Sequence, residues 1–366
     1  MRDARGAYPD RAARAHAPTS RREVYADPVT DHATLQQRPV RRSIVPSALI
    51  AVGIVVVLFL VRVFSPLGAP VSASVLQDLL TLTYSVIIES LPFVILGIVL
   101  SILVQVWIPD RWVTRVLPTN PVLRRAAISF LGVFFPVCEC GNVPLARGLM
   151  VKGFSVSESM TFLFAAPIVN PITIITTYQA FGFDDGILIA RIVGGFAVAN
   201  LIGWVFSRHP DPAQLLTAEF AAECRVPDHD HVRSRRRESI VLFGREAAVI
   251  MPVLVIGALI AGLVQVGVPR SVLVELGGNP LWSILAMLVL AFIISVCSNV
   301  DAFFILPFAS TFLPGSIVTF LVFGPLIDVK MLALMRTTFT TKTLVQVTVI
   351  VALASAILGL GVNLAA

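Results

Sequence analysis

Pro136-Val137-Cys138-Glu139-Cys140-Gly141-Asn142-Val143-Pro144 breaks the chain where a membrane helix is expected. The apolar run before it, Ala126 to Val137, is too short to cross a bilayer, which takes ~20 apolar residues. Two thiols, a carboxylate, a carboxamide, a glycine and a proline follow within one turn. Broken backbone survives at membrane depth only where protein or a water-filled cavity satisfies its polar groups. A second break follows 159 residues after the first, at Val296-Cys297-Ser298-Asn299-Val300-Asp301. The remaining chain reads as a frame that sets the two breaks face to face.

Composition supports that frame. Of 366 residues, 56% are hydrophobic and only 14% charged, where a soluble domain carries about 25%. The mean hydropathy is +0.86. The expected class is an all-α polytopic membrane protein. The net charge of +6 lies mostly in an N-terminal arm and one linker, where membrane topology accounts for it and nucleic acid need not. The four cysteines do not form a secreted disulfide framework, because three of them sit in the two breaks and Cys224 in a polar linker.

Residues 1–42 hold nine arginines and few large apolar residues, the composition of a disordered cytoplasmic tail. Residues 43–70 contain an extra N-terminal membrane helix, Ile44 to Phe64. Residues 71–206 form a first unit, with a segment Val71 to Ile108 that begins as an amphipathic piece and becomes a span at about Tyr84, a broken hairpin, a span interrupted at Ala165 to Pro171, and a return from Ile187 to Phe206. Residues 207–237 form a cytoplasmic linker with no assigned site, and deletion of Pro210 to His231 is expected to leave transport largely intact. Residues 238–366 form a second unit with the same plan.

The units repeat. Pro92…Gly97 matches Pro252…Gly257, and Gln105-Val106-x-x-Pro109 matches Gln265-Val266-x-x-Pro269. Asn120-Pro121 matches Asn279-Pro280, and Val137-Cys138 matches Val296-Cys297. Pro167 and Asn170 match Pro325 and Asp328. With the tail inside and each hairpin entering and leaving on one side, the basic loops fall in the cytoplasm, and the repeats run in opposite directions. Inverted repeats with broken or re-entrant helices at the midplane are the architecture of many secondary transporters.

Cys138-Glu139-Cys140-Gly141-x-x-Pro144, then Gly153 and Ala166-Pro167-Ile168-Val169-Asn170-Pro171, resemble the predicted permease family that includes the ArsP-type organoarsenical efflux permeases. Cys297-Ser298-Asn299-Val300-Asp301-Ala302 is similar to that family's second motif. The resemblance covers roughly Tyr84 to Ala366 and implies a permease. The usual first motif has Ser between the cysteines; Glu139 here shifts the expectation from an arsenical towards a cationic metal.

The candidate substrate path comprises Cys138, Glu139, Cys140, Asn142, Asn170, Cys297, Asn299, Asp301 and Asp328. Cys138, Cys140 and Cys297 are soft ligands for zinc, copper(I) or a trivalent metalloid, or else small buried hydrophobes. Glu139 and Asp301 are costly within a membrane and mark a pathway or proton relay, unless they lie at an aqueous mouth. Asn142, Asn170, Asn299 and Asp328 either ligate or satisfy the broken helices. Glu89, mid-span beside Pro92, either carries protons or hydrogen-bonds a neighbouring helix. Arg147 and Lys152 either balance the carboxylates or mark the cytoplasmic edge, the edge being favoured, and Asp228-His229-Asp230-His231 reads as solvated linker over a weak metal site.

No phosphate-cradling loop or cofactor motif is present, so neither ATP drive within this chain nor a cofactor is expected. The expected function is a plasma-membrane permease, not an enzyme, with its N-terminus in the cytoplasm. It would move a small ion, first a thiophilic metal or metalloid. The alternatives are an intramembrane thiol redox enzyme, and a membrane subunit working with a membrane or periplasmic partner.

Overall fold

A computed structural model describes residues 71–109, 118–135, 137–183, 186–225, 235–267 and 280–365. The tail (1–42), the extra N-terminal helix (43–70), Pro136 and the run Asp228 to His231 lie outside the described residues.

The named elements are helical. In the first unit, α1 runs over Val71–Ile102 and continues through a wider π turn to Trp107. Short helices α2 (Pro121–Ser129) and α3 (Leu131–Phe134) lead into the first break. Helix α4 (Glu139–Val151) leaves it, and α5 (Val156–Val169) and α6 (Pro171–Phe181) form one span broken at Asn170. Helix α7 (Ile187–Phe206) returns. A short α8 (Ala218–Arg225) lies in the linker. In the second unit, α9 (Arg235–Gly267) and α10 (Pro280–Ile294) precede the second break. The stub α11 (Asp301–Ile305) leaves it. Helices α12 (Pro314–Leu326) and α13 (Val329–Met335) form the second broken span, and α14 (Thr341–Ala365) closes the chain.

Local chemistry sets these boundaries. Pro121, Pro171 and Pro314 open their helices at the position where a missing N–H costs nothing. Ser155 and Glu158 form a capping box at the start of α5. Helix α1 is unbroken from Val71, and its stretch long and apolar enough to cross a membrane begins at Leu76, ahead of the expected Tyr84; Leu79 and Thr83 meet Gly262 of α9. Among the described residues, six helical stretches are long and apolar enough to cross a membrane, namely Leu76–Trp107, Val156–Phe181, Ile187–Phe206, Arg235–Leu263, Pro314–Met335 and Thr341–Ala365. The protein is an all-α, multi-pass membrane protein.

Contacts between the units follow the sequence repeat. Elements in matching positions meet each other: α1 packs on α9, α5 on α12, and α7 on α14. Unlike elements meet reciprocally, α4 with α13 and α11 with α6. Within each unit the same pairs recur, α5 on α7 matching α12 on α14. Helices α1 and α4 approach backbone to backbone at Gly97 and Gly141, where a Cβ on Gly97 would collide with the Gly141 carbonyl. Small residues permit such close helix packing, and here it seats the head of α4 against α1.

The linker is not an inert tether. The Thr217 N–H bonds the Thr338 carbonyl, and the Thr340 N–H bonds the Leu215 carbonyl. Leu215, Leu216 and Phe220 are buried. The Arg147 guanidinium lies 4.2 Å from the Phe220 ring centroid and pairs with Glu223 at 3.3 Å and Glu246 at 3.1 Å. Arg147 thus balances carboxylates, though not those of the breaks, and residues 215–223 of the linker are packed against the rest of the chain. Burial raises the Glu223 pKa, with Arg147 opposing. Burial, reinforced by the Glu223 charge, pushes the Cys224 thiol up to about 11, so it stays protonated at neutral pH.

Candidate functional site

The two breaks share one local turn. The Cys138 carbonyl accepts from the N–H groups of Gly141 and Asn142, and the Cys297 carbonyl accepts from those of Val300 and Asp301. Cys138 therefore caps α4 as Cys297 begins the turn into α11. Ser295, just after α10, holds a left-handed φ of 52°, a conformation that L-residues other than Gly, Asn and Asp rarely adopt. The second break is held in that shape by its surroundings.

Around the first break the side chains converge. Cys138, Glu139 and Cys140 are all buried, and one ligand atom from each lies within 4.8 Å of the others. The Cys138 thiol is within hydrogen-bonding reach of both Cys140 and Cys297. The Cys297 thiol also faces Glu139 Oε2 at 3.7 Å. That oxygen accepts from the Ser298 N–H at 3.3 Å and its hydroxyl at 3.0 Å. The other oxygen, Oε1, pairs with Lys330 Nζ at 3.1 Å. The Cys140 thiol points at the Ser90 hydroxyl, 3.8 Å away. Glu89, half-buried on α1, turns its carboxyl towards the N–H and thiol of Cys297. Eight polar side chains from α1, α13 and both breaks thus meet at one place.

Around the second break the arrangement is tighter. Asp301 is gripped by both ends of Arg191, at 2.9 Å and 2.6 Å. Arg191 also donates to the Thr177 hydroxyl at 2.7 Å. Asn299 Oδ1 accepts from Thr173 at 3.3 Å and from Asn170 at 3.5 Å.

The broken spans explain the remaining residues. Asn170 caps α6 by accepting from the Ile172 N–H at 3.0 Å, and its amide donates to the Val137 carbonyl at 3.2 Å. Asp328 caps α13 through the Met331 N–H at 2.5 Å. These two matching positions satisfy the broken helices, one of the two roles weighed for them. Asn142 is different: it is fully buried, and neither end of its carboxamide has a hydrogen-bond partner.

Lys330 and Arg191 were not picked out from the sequence. Each is a lone cation inside an apolar span, and that signal was present, because ionisable residues at such depth mark sites or partners. Which carboxylate each would meet was not readable, since the partners lie 191 and 110 residues away.

Helices that cross a membrane, broken at mid-span around buried ionisable groups, define a polytopic membrane protein built around an intramembrane polar site. The family model described as "Predicted permease" matches residues 75–364, and the chain belongs to that family. A protein of Streptococcus mutans, whose name makes it a candidate subunit of a two-component membrane permease complex, is 35% identical over 283 residues, 75% of this chain and 91% of its own. UPF0718 protein YcgR of Bacillus subtilis is 35% identical over 258 residues, 70% of this chain and 86% of that protein. UPF0718 protein YraQ of Escherichia coli is 30% identical over 112 residues, 30% of this chain and 31% of that protein. No solved structure matches significantly.

Proposed function

We propose that this protein is a permease for a thiophilic cation, a metal or a metalloid, and not an enzyme. The observation that carries the reading is the convergence of Cys138, Glu139 and Cys140 within 4.8 Å, fully enclosed, with the Cys297 thiol beside them. Soft sulfur donors select soft cations, and a carboxylate among them offsets the cation's charge away from water. Asn142, Asn170, Asn299, Asp301 and Asp328 line or brace the path, and Glu89, with its carboxyl against Cys297, serves as the proton-coupling group beside Glu139.

The two units are related, in this reading, by an axis in the membrane plane, which makes the repeat an inverted one. The reciprocal contacts of α4 with α13 and α11 with α6 support a two-fold relation. The arginine-rich tail supports a cytoplasmic N-terminus in the plasma membrane. The name of the streptococcal relative supports a second reading of how the permease works, as one subunit of a complex with a partner protein.

A deletion strain challenged with a panel of metals and metalloids, with accumulation measured, tests the function. One or more thiophilic ions should change in accumulation, and Cys138→Ser and Cys297→Ser should each reproduce the deletion in part. Because the two thiols touch, the double mutant should cost less than the sum of the singles. Unchanged accumulation across the panel, or full transport by the double-serine protein, would sink the thiol site.

A further inference from the structure

One oxygen in this site has no hydrogen-bond partner. Asp328 is fully buried; its Oδ1 caps α13, while its Oδ2 is enclosed without a hydrogen bond. That orphan oxygen lies 3.8 Å from Lys330 Nζ, beyond hydrogen-bond length but within ion-pair reach. The same ammonium sits 3.1 Å from Glu139 Oε1. A single buried cation thus stands between two carboxylates, bonded to one and beside a vacant oxygen of the other. Asp328 and Lys330 are two residues apart, so rotation about the outer bonds of the lysine side chain moves Nζ between the two seats with the backbone still.

A second cation cannot share Glu139 with Lys330 without strong repulsion, because like charges interact strongly in a poorly polarisable interior. An ammonium pushed off Glu139 with no other anion to meet would be a buried, uncompensated charge, which is heavily disfavoured. Asp328 Oδ2 supplies the missing anion.

We infer that Lys330 exchanges between Glu139 and Asp328: it holds Glu139 while the site is empty and moves to Asp328 when a thiophilic cation takes Glu139 and the thiols. This rests on the thiol site proposed above and names its counter-ion. It makes Asp328 a positioning residue that favours cationic over neutral solutes, since a neutral solute gives Lys330 no reason to leave. Arg191 cannot do the same at Asp301, because its fork is bonded at both ends.

The test uses the full chain in lipid nanodiscs at fixed pH, with cadmium(II) as the probe and cadmium–thiolate absorption as the readout. Asp328→Asn keeps a side chain suited to capping a helix and removes the charge. It should weaken cadmium binding at least about tenfold, equivalent to about 1.4 kcal/mol, while the thermal midpoint holds. Asp328→Glu, which keeps the charge, should bind close to wild type. Adding Lys330→Gln to Asp328→Asn should restore affinity, because no displaced ammonium remains to be housed. A purely structural role for Asp328 would show no such restoration. Asp328→Asn protein that binds as tightly as wild type overturns the exchange, and so does a loss that persists in the double mutant. Wild-type protein that shows no cadmium–thiolate absorption instead overturns the thiol site itself, and the exchange with it.

Discussion

The two breaks have the same backbone turn and opposite ionic character. At the second, Asp301 is clamped by Arg191 through two short charge-assisted bonds, and Arg191 is anchored again by Thr177. At the first, Glu139 meets a lysine, a point charge on a flexible stem, with a second carboxylate within its reach. A planar fork held at both ends fixes geometry, whereas an ammonium between two anions can move. The repeat positions sharpen the contrast. Asn142 stands where the second unit has Asp301, and its carboxamide has no hydrogen-bond partner. One break is therefore built as a brace, and the other holds a buried carboxamide without a hydrogen-bond partner. Duplicated architecture need not mean duplicated function.

The largest effect should come from unlocking the brace. Arg191→Met leaves Asp301 buried without a counter-charge, and breaking a buried pair from one side costs about 3–5 kcal/mol. Arg191→Lys should recover only part of this, since a lysine cannot make the two-point bond. The thermal midpoint of purified protein in detergent would show both losses. An Arg191→Met protein as stable as wild type would mean that Asp301 is not braced, and the contrast between the breaks would collapse.

A smaller structural effect and a larger functional one should follow at the first break. Glu139→Gln keeps an acceptor for Ser298 and removes the charge facing Lys330. Lys330 still has Asp328 at 3.8 Å, so the loss should be nearer the about 1–3 kcal/mol of a disturbed buried polar group. Transport of the thiophilic ion should nonetheless fall about tenfold or more, equivalent to about 1.4 kcal/mol. Equal destabilisation by Glu139→Gln and Arg191→Met would show that both ion pairs are braces.

Much of the frame was legible in the sequence. The breaks at Cys138 and Cys297, the interruptions at Asn170 and Asp328, and the unit order all follow from polar residues and prolines set in apolar runs. Sequence patterns report such local events well. The membrane-long stretch of α1 begins at Leu76, ahead of the expected Tyr84, and its early turns meet Gly262 of α9 through Leu79 and Thr83, a contact made far along the chain. The linker was read as tether because its composition is polar, yet Phe220 is buried under Arg147 and Leu216 against the chain near Phe339. The carboxylates of the site were legible because charge inside a membrane is rare. Their cations, Lys330 and Arg191, carry the same signal of a lone charge in an apolar span, but the carboxylates they meet lie 191 and 110 residues away.

Asn142 offers the finest test of the comparison. A buried carboxamide with no partner lowers stability by its lost hydration, about 1–3 kcal/mol. Asn142→Ala removes that cost and leaves a small gap, so the thermal midpoint should stay level or rise. At its repeat equivalent, Asp301→Ala should lower the midpoint, because it strands Arg191 in the same way that removing Arg191 strands Asp301. If the carboxamide is kept free for a passing ion, Asn142→Ala should slow transport severalfold while the folded protein gains or holds stability. That opposite movement separates a residue retained for function from one retained for packing. A fall in midpoint with transport unchanged would mean that Asn142 is satisfied by ordered water and serves the fold, and the first break would then be as fully committed to structure as the second.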